Sequence, residues 1–395
     1  MDVLFLAHSY PRHDGDLAGS FLLKLAQALR AEDVRVRVVA PAAAGLAPFE
    51  ELGGVPVHRF HYAPRRYETL AYGGNMAALV RASWSARLAL VGFMGANFSR
   101  AVQVRREHHP QLLHAHWWFP GGVVGSWLSG LAHLPLVTTM HGTDLRIARD
   151  VPIARSPFRR VMQASAEVTA VSSWLADEAA ALLPEGRRPI VAPMPVATEL
   201  FSSDGIPPGD EHRDALLYVG RLSEQKGVDK LLRALARQRV PSRLDVVGDG
   251  AEADALRQLA GELGIADRVR WHGALPQDRL PEHYRRAAAL VVPSRDEGLG
   301  LVAVEAMLCG TPVVAFDSGG VRDVVQHDRT GVLVPQDDVD ALAASLDELL
   351  DAGAAERRAR LGEAGRLFAL GAFSPESAAR RYAGIYRAAV GARAT

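Results

Sequence analysis

Two carboxylates, Glu297 and Glu305, stand in the segment PSRDEGLGLVAVEAMLCGTPVVAFDSGGVRDVVQHDRTGVLVP, with Gly298 and Gly300 between them. The first follows an apolar strand at 289–292. The second lies inside a helix that starts near Gly300. A helix N-terminus offers unpaired amides to a phosphate, and glycines let a ligand approach the backbone. The amides of Gly298, Leu299, Gly300 and Leu301 can therefore meet sugar and phosphate. Glu297 can contact sugar hydroxyls, and Glu305 can accept from a ribose diol. A solvated helix residue is the plainer reading of Glu305. Its neighbours Val302, Val304, Ala306, Met307 and Leu308 argue against it, because a carboxylate in apolar company needs a partner. The segment can hold a sugar nucleotide.

Four other segments end strands and carry polar or glycine residues. The first loop closes on Ala18, Gly19 and Ser20, small residues at the start of a helix. They fit either an ordinary helix start or a seat for phosphate or sugar. In TTMHGTD, His141 ends a strand, Gly142 turns the chain and Asp144 follows. A histidine placed there can donate to a developing negative charge or orient a hydroxyl. A hydrogen-bonded strand-end histidine is the alternative. In YVGRLSEQKGVD, Arg221 and Lys226 flank a strand-to-helix loop, where two cations can neutralise a departing diphosphate. Lys226 is one of three lysines in an arginine-dominated chain, which weighs against a chance surface pair. In VRWHGAL, His272 and Gly273 follow a strand whose end can present backbone groups to a base.

Other chemistries lack their motifs. There is no G-x-x-x-x-G-K-[ST], no G-x-G-x-x-G in either half, and no G-x-S-x-G. One cysteine, Cys309, supplies neither a zinc site nor an internal disulfide framework, and fits a reducing compartment. In HAHW, His114 and His116 share one side of a strand with no third metal ligand nearby. Lys+Arg and Asp+Glu both number 45, so no global basic charge signals nucleic acid. The opening MDVLFLAHSYPRHDGD has no basic n-region and reads as a buried strand, and the apolar stretch 88–98 is too short to span a bilayer. The expected location is cytoplasmic.

The elements that must position these residues alternate between strand-like and helical runs. Strands are expected at 3–7, 34–40, 112–115, 136–140 and 168–171, with helices between them, the first over 19–31. A proline-rich stretch at 193–208 reads as a linker. A second series follows, with strands at 216–219, 244–247, 269–272, 289–292 and 313–315 and helices at 227–237 and 252–263. This pattern predicts an α/β chain of two Rossmann-like, doubly wound domains facing a central cleft, with ligands at the C-terminal ends of parallel strands. The expected boundaries are 1–195, 196–372 and a last helical segment, 373–395. Periodicity leaves open whether that segment caps the second domain or crosses back to the first.

These residues in this order resemble glycosyltransferase family 4, the retaining enzymes of the GT-B fold. GRLSEQKGVD, the E-x7-E segment with EAMLCGTPVVA, and DRTGVLVP carry the resemblance most strongly. HAHWWFPGG, VTTMHGTDL and AVSSWL extend it into the first half. The resemblance implies that Arg221 and Lys226 bind the donor diphosphate. It places Glu305 at the ribose, Glu297 and the following amides at the donor sugar, and His141 beside the reacting sugar, so that His141 and Glu297 form the catalytic pair. It further implies a UDP- or GDP-linked sugar donor, a hydroxyl acceptor, retention of anomeric configuration, no metal or other cofactor, and a last helix crossing back to the first domain. A nucleotide-sugar epimerase, a phosphorylase or a non-catalytic binding paralogue are alternatives on the same fold. The chain departs from the family at two points. The first loop has Ala18–Gly19 for paired glycines, and Met194, Pro195, Val196 and Ala197 replace a polar Asn-Gly-Val-Asp turn.

The stretch 59–106 holds eight arginines (59, 65, 66, 81, 87, 100, 105 and 106) and one acid, Glu68, a net charge of 8 − 1 = +7 in a chain neutral overall. It also carries Trp84, Leu88, Val91, Phe93, Met94 and Phe98. Such a surface suits an anionic membrane or a lipid-linked phosphate acceptor, with Arg65, Arg66 and Asp144 as candidate contacts. A long buried helix with solvated arginines is the alternative. The expected role is sugar transfer in bacterial envelope or exopolysaccharide assembly, with peripheral contact to the inner face of the plasma membrane.

Overall fold

Runs of Val, Leu and Ala with strand periodicity, separated by helical runs, sort into two α/β units. The computed structural model describes residues 1–73, 76–183, 187–204 and 215–392. One unit comprises Met1–Pro195 and Pro375–Thr395, the other Val196–Ser374.

Among its described residues, the first unit is built on β1 (Asp2–Leu6), β2 (Arg35–Pro41), β3 (Phe49–Leu52), β4 (Val55–Phe60), β5 (Leu112–His116), β6 (Leu136–Met140), β7 (Glu167–Ala170) and β8 (Ile190–Val191). Their order across the sheet is β3-β4-β2-β1-β5-β6-β7-β8. Every pairing is parallel except β3 with β4. The strand order reverses between β1 and β5, which makes that junction the place where loops diverge and leave a crevice. The β3–β4 hairpin was not foreseen, although Gly53-Gly54 between two short runs is a hairpin signal.

The second unit holds β9 (Ala215–Val219), β10 (Arg243–Val247), β11 (Val269–Gly273), β12 (Ala287–Val292), β13 (Val313–Phe316) and β14 (Val332–Val334). All pairings are parallel, in the order β11-β10-β9-β12-β13-β14. Its switch point lies between β9 and β12. Leu216, Leu244, Val246, Val291 and Val314 form the sheet side of a core that the helix Val228–Arg237 covers with Leu231, Leu232 and Leu235.

The final helix, Pro375–Gly391, packs within the first unit. Tyr382 and Tyr386 are fully buried. The Tyr382 hydroxyl donates to the Ala192 carbonyl at 2.9 Å, and the Tyr386 hydroxyl lies 2.7 Å from Nδ1 of His114. The described part of the proline-rich stretch is not a solvated tether. Met194 and Phe201 are buried, and the Val196 amide donates to the Phe373 carbonyl at 3.0 Å. Residues 205–208 of that stretch lie outside the described residues.

Candidate functional site

In the second unit the loops after β9 and β12 leave neighbouring strands at the switch point, and they bring Lys226 to Glu297. Lys226 Nζ lies 2.5 Å from Glu297 Oε2, both side chains mostly buried. The contact is fixed by backbone as well as charge. The Arg295 amide donates to the Gln225 carbonyl at 2.8 Å, and Gln225 Nε2 donates to the Asp296 carbonyl at 3.1 Å. Gly227, at φ 65°, packs so tightly that a Cβ there would lie 2.1 Å from the Pro293 carbonyl oxygen. Only glycine permits that approach. Arg221 is exposed, and its carbonyl accepts from the buried Tyr218 hydroxyl at 2.9 Å. Burial, then the nearby Glu297 charge, pushes the Tyr218 phenol well above its ordinary range. From the other side the Gly320 amide donates to the Glu297 carbonyl at 2.7 Å, and Ser318 Oγ accepts from the Asp296 amide at 3.0 Å. These SGG residues after β13 were not singled out from the sequence, although glycines directly after a strand are themselves a signal.

Gly298 is partly exposed, while Leu299 is buried. Gly300 caps the helix Leu301–Leu308. Glu305 lies one turn along, only 9% exposed. Its Oε2 accepts from the Tyr284 hydroxyl at 2.7 Å, and Gln277 also bonds to it. Burial dominates and lifts the Glu305 carboxyl to about 7, although both hydrogen bonds oppose the shift. Tyr284 is itself pinned. Its carbonyl accepts from Thr311 Oγ1 at 2.6 Å, and its ring packs edge-on to Phe201. His272 points its Nε2 at Asp245 Oδ1, 2.8 Å away. Its side chain is thus engaged, and the Gly273 carbonyl accepts from the Gly248 amide at 2.8 Å.

In the first unit, Gly19 and His141 reach the same end of the sheet. Gly19 caps the helix Ser20–Ala28 at φ 75°, and a Cβ would sit 2.6 Å from the Ser9 carbonyl oxygen. Asp16 braces this loop, accepting from Arg12 Nε at 2.6 Å and from the Arg12 and Ala18 amides. Burial raises the Asp16 carboxyl, but these bonds outweigh it and hold it at about 2. Phe21, just inside the helix, lies 5.4 Å from the His141 ring. Trp117 also packs on that ring, at 4.4 Å and 34°, and lies 6.2 Å from Phe21. His141 follows β6, and its Nε2 lies 3.3 Å from His116 Nδ1. Burial, then the neighbouring His8, lowers it to about 3, so it is neutral at physiological pH.

Asp144 needs correction. It was expected to face an acceptor or membrane, yet it is 2% exposed. Its carboxylate accepts from the amides of His141 (3.1 Å), Gly142 (3.0 Å) and Trp118 (3.0 Å). It ties the β5 and β6 loops together and fixes the backbone beneath His141. His114 is also internal, hydrogen-bonded to Tyr386 and to Thr139 Oγ1 at 2.7 Å. Among the described residues, no group of three or more His, Cys, Asp or Glu side chains could hold a metal ion.

The basic stretch divides. Arg59 is buried, pairing with Glu50 and donating to Tyr72 and to the Pro11 carbonyl, so it contributes no surface charge. Phe93 is core, and Met94 and Phe98 pack against that core. Arg65, Arg66, Arg81, Arg87 and Arg106 are exposed. Glu68 turns inward, accepting from the Tyr62 amide at 2.8 Å and facing His61 Nδ1 at 3.0 Å. On the helix Trp84–His108, Trp84 (76%), Leu88 (71%) and Val91 (71%) stand exposed at helical spacing, so one face is apolar and rimmed by arginine. Among the described residues no helix is long and apolar enough to cross a membrane.

Comparison with known proteins follows the same division. Residues 18–200 match the model of Glycosyltransferase Family 4, and residues 205–368 match that of Glycosyl transferases group 1. The chain is 32% identical to a D-inositol 3-phosphate glycosyltransferase of Streptomyces scabiei, over 97% of this chain and 90% of that protein. It is 34% identical to a GDP-mannose-dependent alpha-(1-6)-phosphatidylinositol monomannoside mannosyltransferase of Mycolicibacterium smegmatis, over 60% of this chain and 65% of that one. The fold is similar to that of sucrose-phosphate synthase from Thermosynechococcus elongatus, with a TM-score of 0.80 at 22% identity over 99% of each chain. With two α/β units on largely parallel sheets and a relative matched over nearly its whole length, the chain belongs to glycosyltransferase family 4, as a hexosyltransferase of the GT-B fold that uses a nucleotide-sugar donor.

Proposed function

We propose that this enzyme transfers a hexose, with retention of anomeric configuration, from a GDP- or UDP-linked donor to a hydroxyl on a lipid-linked or polysaccharide intermediate of envelope synthesis. Lys226 and Arg221 take the charge that accumulates on the diphosphate as the glycosyl–phosphate bond breaks. Glu305 accepts from the ribose hydroxyls, and Glu297 with the amides of residues 298–301 orients the sugar. The acceptor oxygen bonds to the anomeric carbon on the face the diphosphate leaves, and its proton passes to the departing phosphate oxygen. His141 stands beside the sugar as a neutral hydrogen-bonding group. The cations do the work a metal would otherwise do, so the reaction runs without one.

The observation that carries this reading is the Lys226–Glu297 pair at the β9/β12 switch point, with Glu305 buried on the helix that the same loop opens. The exposed arginines 65, 66, 81 and 87 beside Trp84, Leu88 and Val91 support an acceptor met at an anionic membrane. The names of the two relatives, with an inositol phosphate and a phosphatidylinositol mannoside, support a phosphate-bearing acceptor.

The test is thermal stabilisation by GDP and UDP, then by their sugars, with EDTA present, since a ligand of the native state raises the melting temperature. Product anomers are then read by NMR. Stabilisation by one nucleoside diphosphate, and a product of unchanged anomeric configuration, are expected. No shift with either nucleotide, release of a free epimer, or an inverted product would overturn the proposal.

A further inference from the structure

His116, the last residue of β5, has no part in the reaction described above. Its ring is fully buried between Phe5, at 4.8 Å, and His114, at 4.0 Å. Its Nδ1 faces Nε2 of His141 at 3.3 Å, and its own Nε2 is buried with no hydrogen-bond partner. Burial, with smaller contributions from His114 and His141, pushes it well below the ordinary histidine range, so both rings of the pair are neutral.

Two neutral arrangements satisfy the contact. In the first, His141 donates from Nε2, and His116 must carry its proton on Nε2. That leaves a buried N–H stranded with no acceptor. In the second, His116 donates from Nδ1, its bare Nε2 lone pair faces the rings, and His141 carries its proton on Nδ1. Buried donors without a partner are rarer than under-satisfied acceptors, and a stranded donor loses its full hydration. The second arrangement is therefore favoured. It also leaves the His141 N–H on the nitrogen that has no hydrogen-bond partner among the described residues.

We propose that His116 is a positioning residue that locks His141 in its Nδ1–H tautomer, so that His141 offers the substrate a hydrogen-bond donor rather than a base. The role of His141 beside the sugar rests on the function proposed above. The tautomer itself does not, and it can be read without any substrate. Trp117 at 4.4 Å and Phe21 at 5.4 Å both pack against the ring and restrict its rotation, so the single contact with His116 decides which nitrogen is protonated.

The experiment is NMR of the full chain labelled with 15N-histidine, with the His141 resonances assigned by their loss in His141→Gln. In the wild type, Nδ1 of His141 is expected to show the protonated signature and Nε2 the unprotonated one. His116→Leu is expected to lose that preference. His116→Asn, whose amide nitrogen can stand where Nδ1 stood, is expected to restore it. A wild-type His141 protonated on Nε2, or an unchanged tautomer in His116→Leu, would overturn the proposal. Should His116→Leu not fold, the wild-type spectrum still decides. A confirmed tautomer in a protein that fails to transfer sugar would separate this inference from the functional one.

Discussion

Lys226 and Glu297 neutralise each other across 2.5 Å, so the proposed donor loops hold a matched pair rather than a bare cation. A diphosphate must draw Lys226 toward itself, with Arg221 adding the second charge. Replacing Lys226 by Ala removes the cation that Glu297 pairs with where the proposed diphosphate would bind. A fall of about 10²–10³ in donor kcat/KM is expected, the size typical of removing one charge-stabilising group. Near wild-type turnover of Lys226→Ala would remove this pair from the donor site. Glu305 makes a prediction in pH. Its folded value of about 7 exceeds the ordinary 4.5, so the fold favours the neutral acid. Between those values the unfolded chain has released a proton that the folded chain keeps. Stability of the second unit should therefore fall as pH rises from about 4.5 to 7 and level off above, by on the order of 3 kcal/mol at most. Glu305→Gln should flatten that slope in denaturant titrations. A ribose diol prefers the carboxylate, so nucleotide affinity should rise through pH 7 with release of a proton, which calorimetry in buffers of different ionisation enthalpy detects. The need for a partner at Glu305 was legible from its apolar neighbours. The identity of that partner was not, because Tyr284 lies 21 residues away and reaches it only through the packing of two helices.

At the scale of elements, the loops are held by close backbone approaches as much as by side chains. Gly227 is the clearest case. A methyl group there would meet the Pro293 carbonyl, a group that cannot rotate away, at a left-handed φ. Gly227→Ala should cost at least about 1–2 kcal/mol in chemical denaturation and weaken nucleotide binding with it, since both donor loops move together. Ten of the fourteen described strands are readable to within a residue or two, because buried parallel strands write apolar runs, whereas β3, β4, β8 and β14 are not. Burial of single side chains along the helix Trp84–His108 was not. Its apolar residues go all round, and only packing separates the buried Phe93 from the exposed Trp84. Likewise Arg59 reads as surface charge until Glu50 and Tyr72 close around it. The exposed face that remains predicts membrane contact. Trp84→Asp/Leu88→Asp should abolish flotation with anionic liposomes while leaving nucleotide-induced stabilisation intact. Equal flotation of wild type and variant, or no preference for anionic over neutral lipid, would rule this face out as the docking surface.

At the scale of the molecule, the first unit is made from two separate stretches, Met1–Pro195 and Pro375–Thr395, and its last helix buries Tyr382 and Tyr386 within it. Periodicity alone could not say which unit would receive residues 375–391. Their apolar face suits either sheet, and the side groups that decide the matter, Tyr382 and Tyr386, find their partners 190 and 272 residues away. Buried hydroxyls with such partners make the docking specific as well as apolar, because each would strand a polar group elsewhere. Truncation after Ser374 removes two buried aromatic rings from the first unit and leaves Nδ1 of His114 and the Ala192 carbonyl unpaired beneath the β5 and β6 loops. Losses of a few kcal/mol from each buried aromatic are typical, and their sum rivals the whole stability of an ordinary domain. The second unit, Val196–Ser374, keeps its sheet, its core and both donor loops within its own boundaries. The truncated chain should therefore lose the cooperative transition of the first unit while retaining a melt that a nucleoside diphosphate still shifts upward. Tryptophan fluorescence can tell the two apart, because five of the six tryptophans (84, 117, 118, 127 and 174) lie in the first unit and Trp271 alone in the second. If the truncated chain still shows the full tryptophan transition at the wild-type temperature, the helix is an accessory rather than a structural member of the first unit.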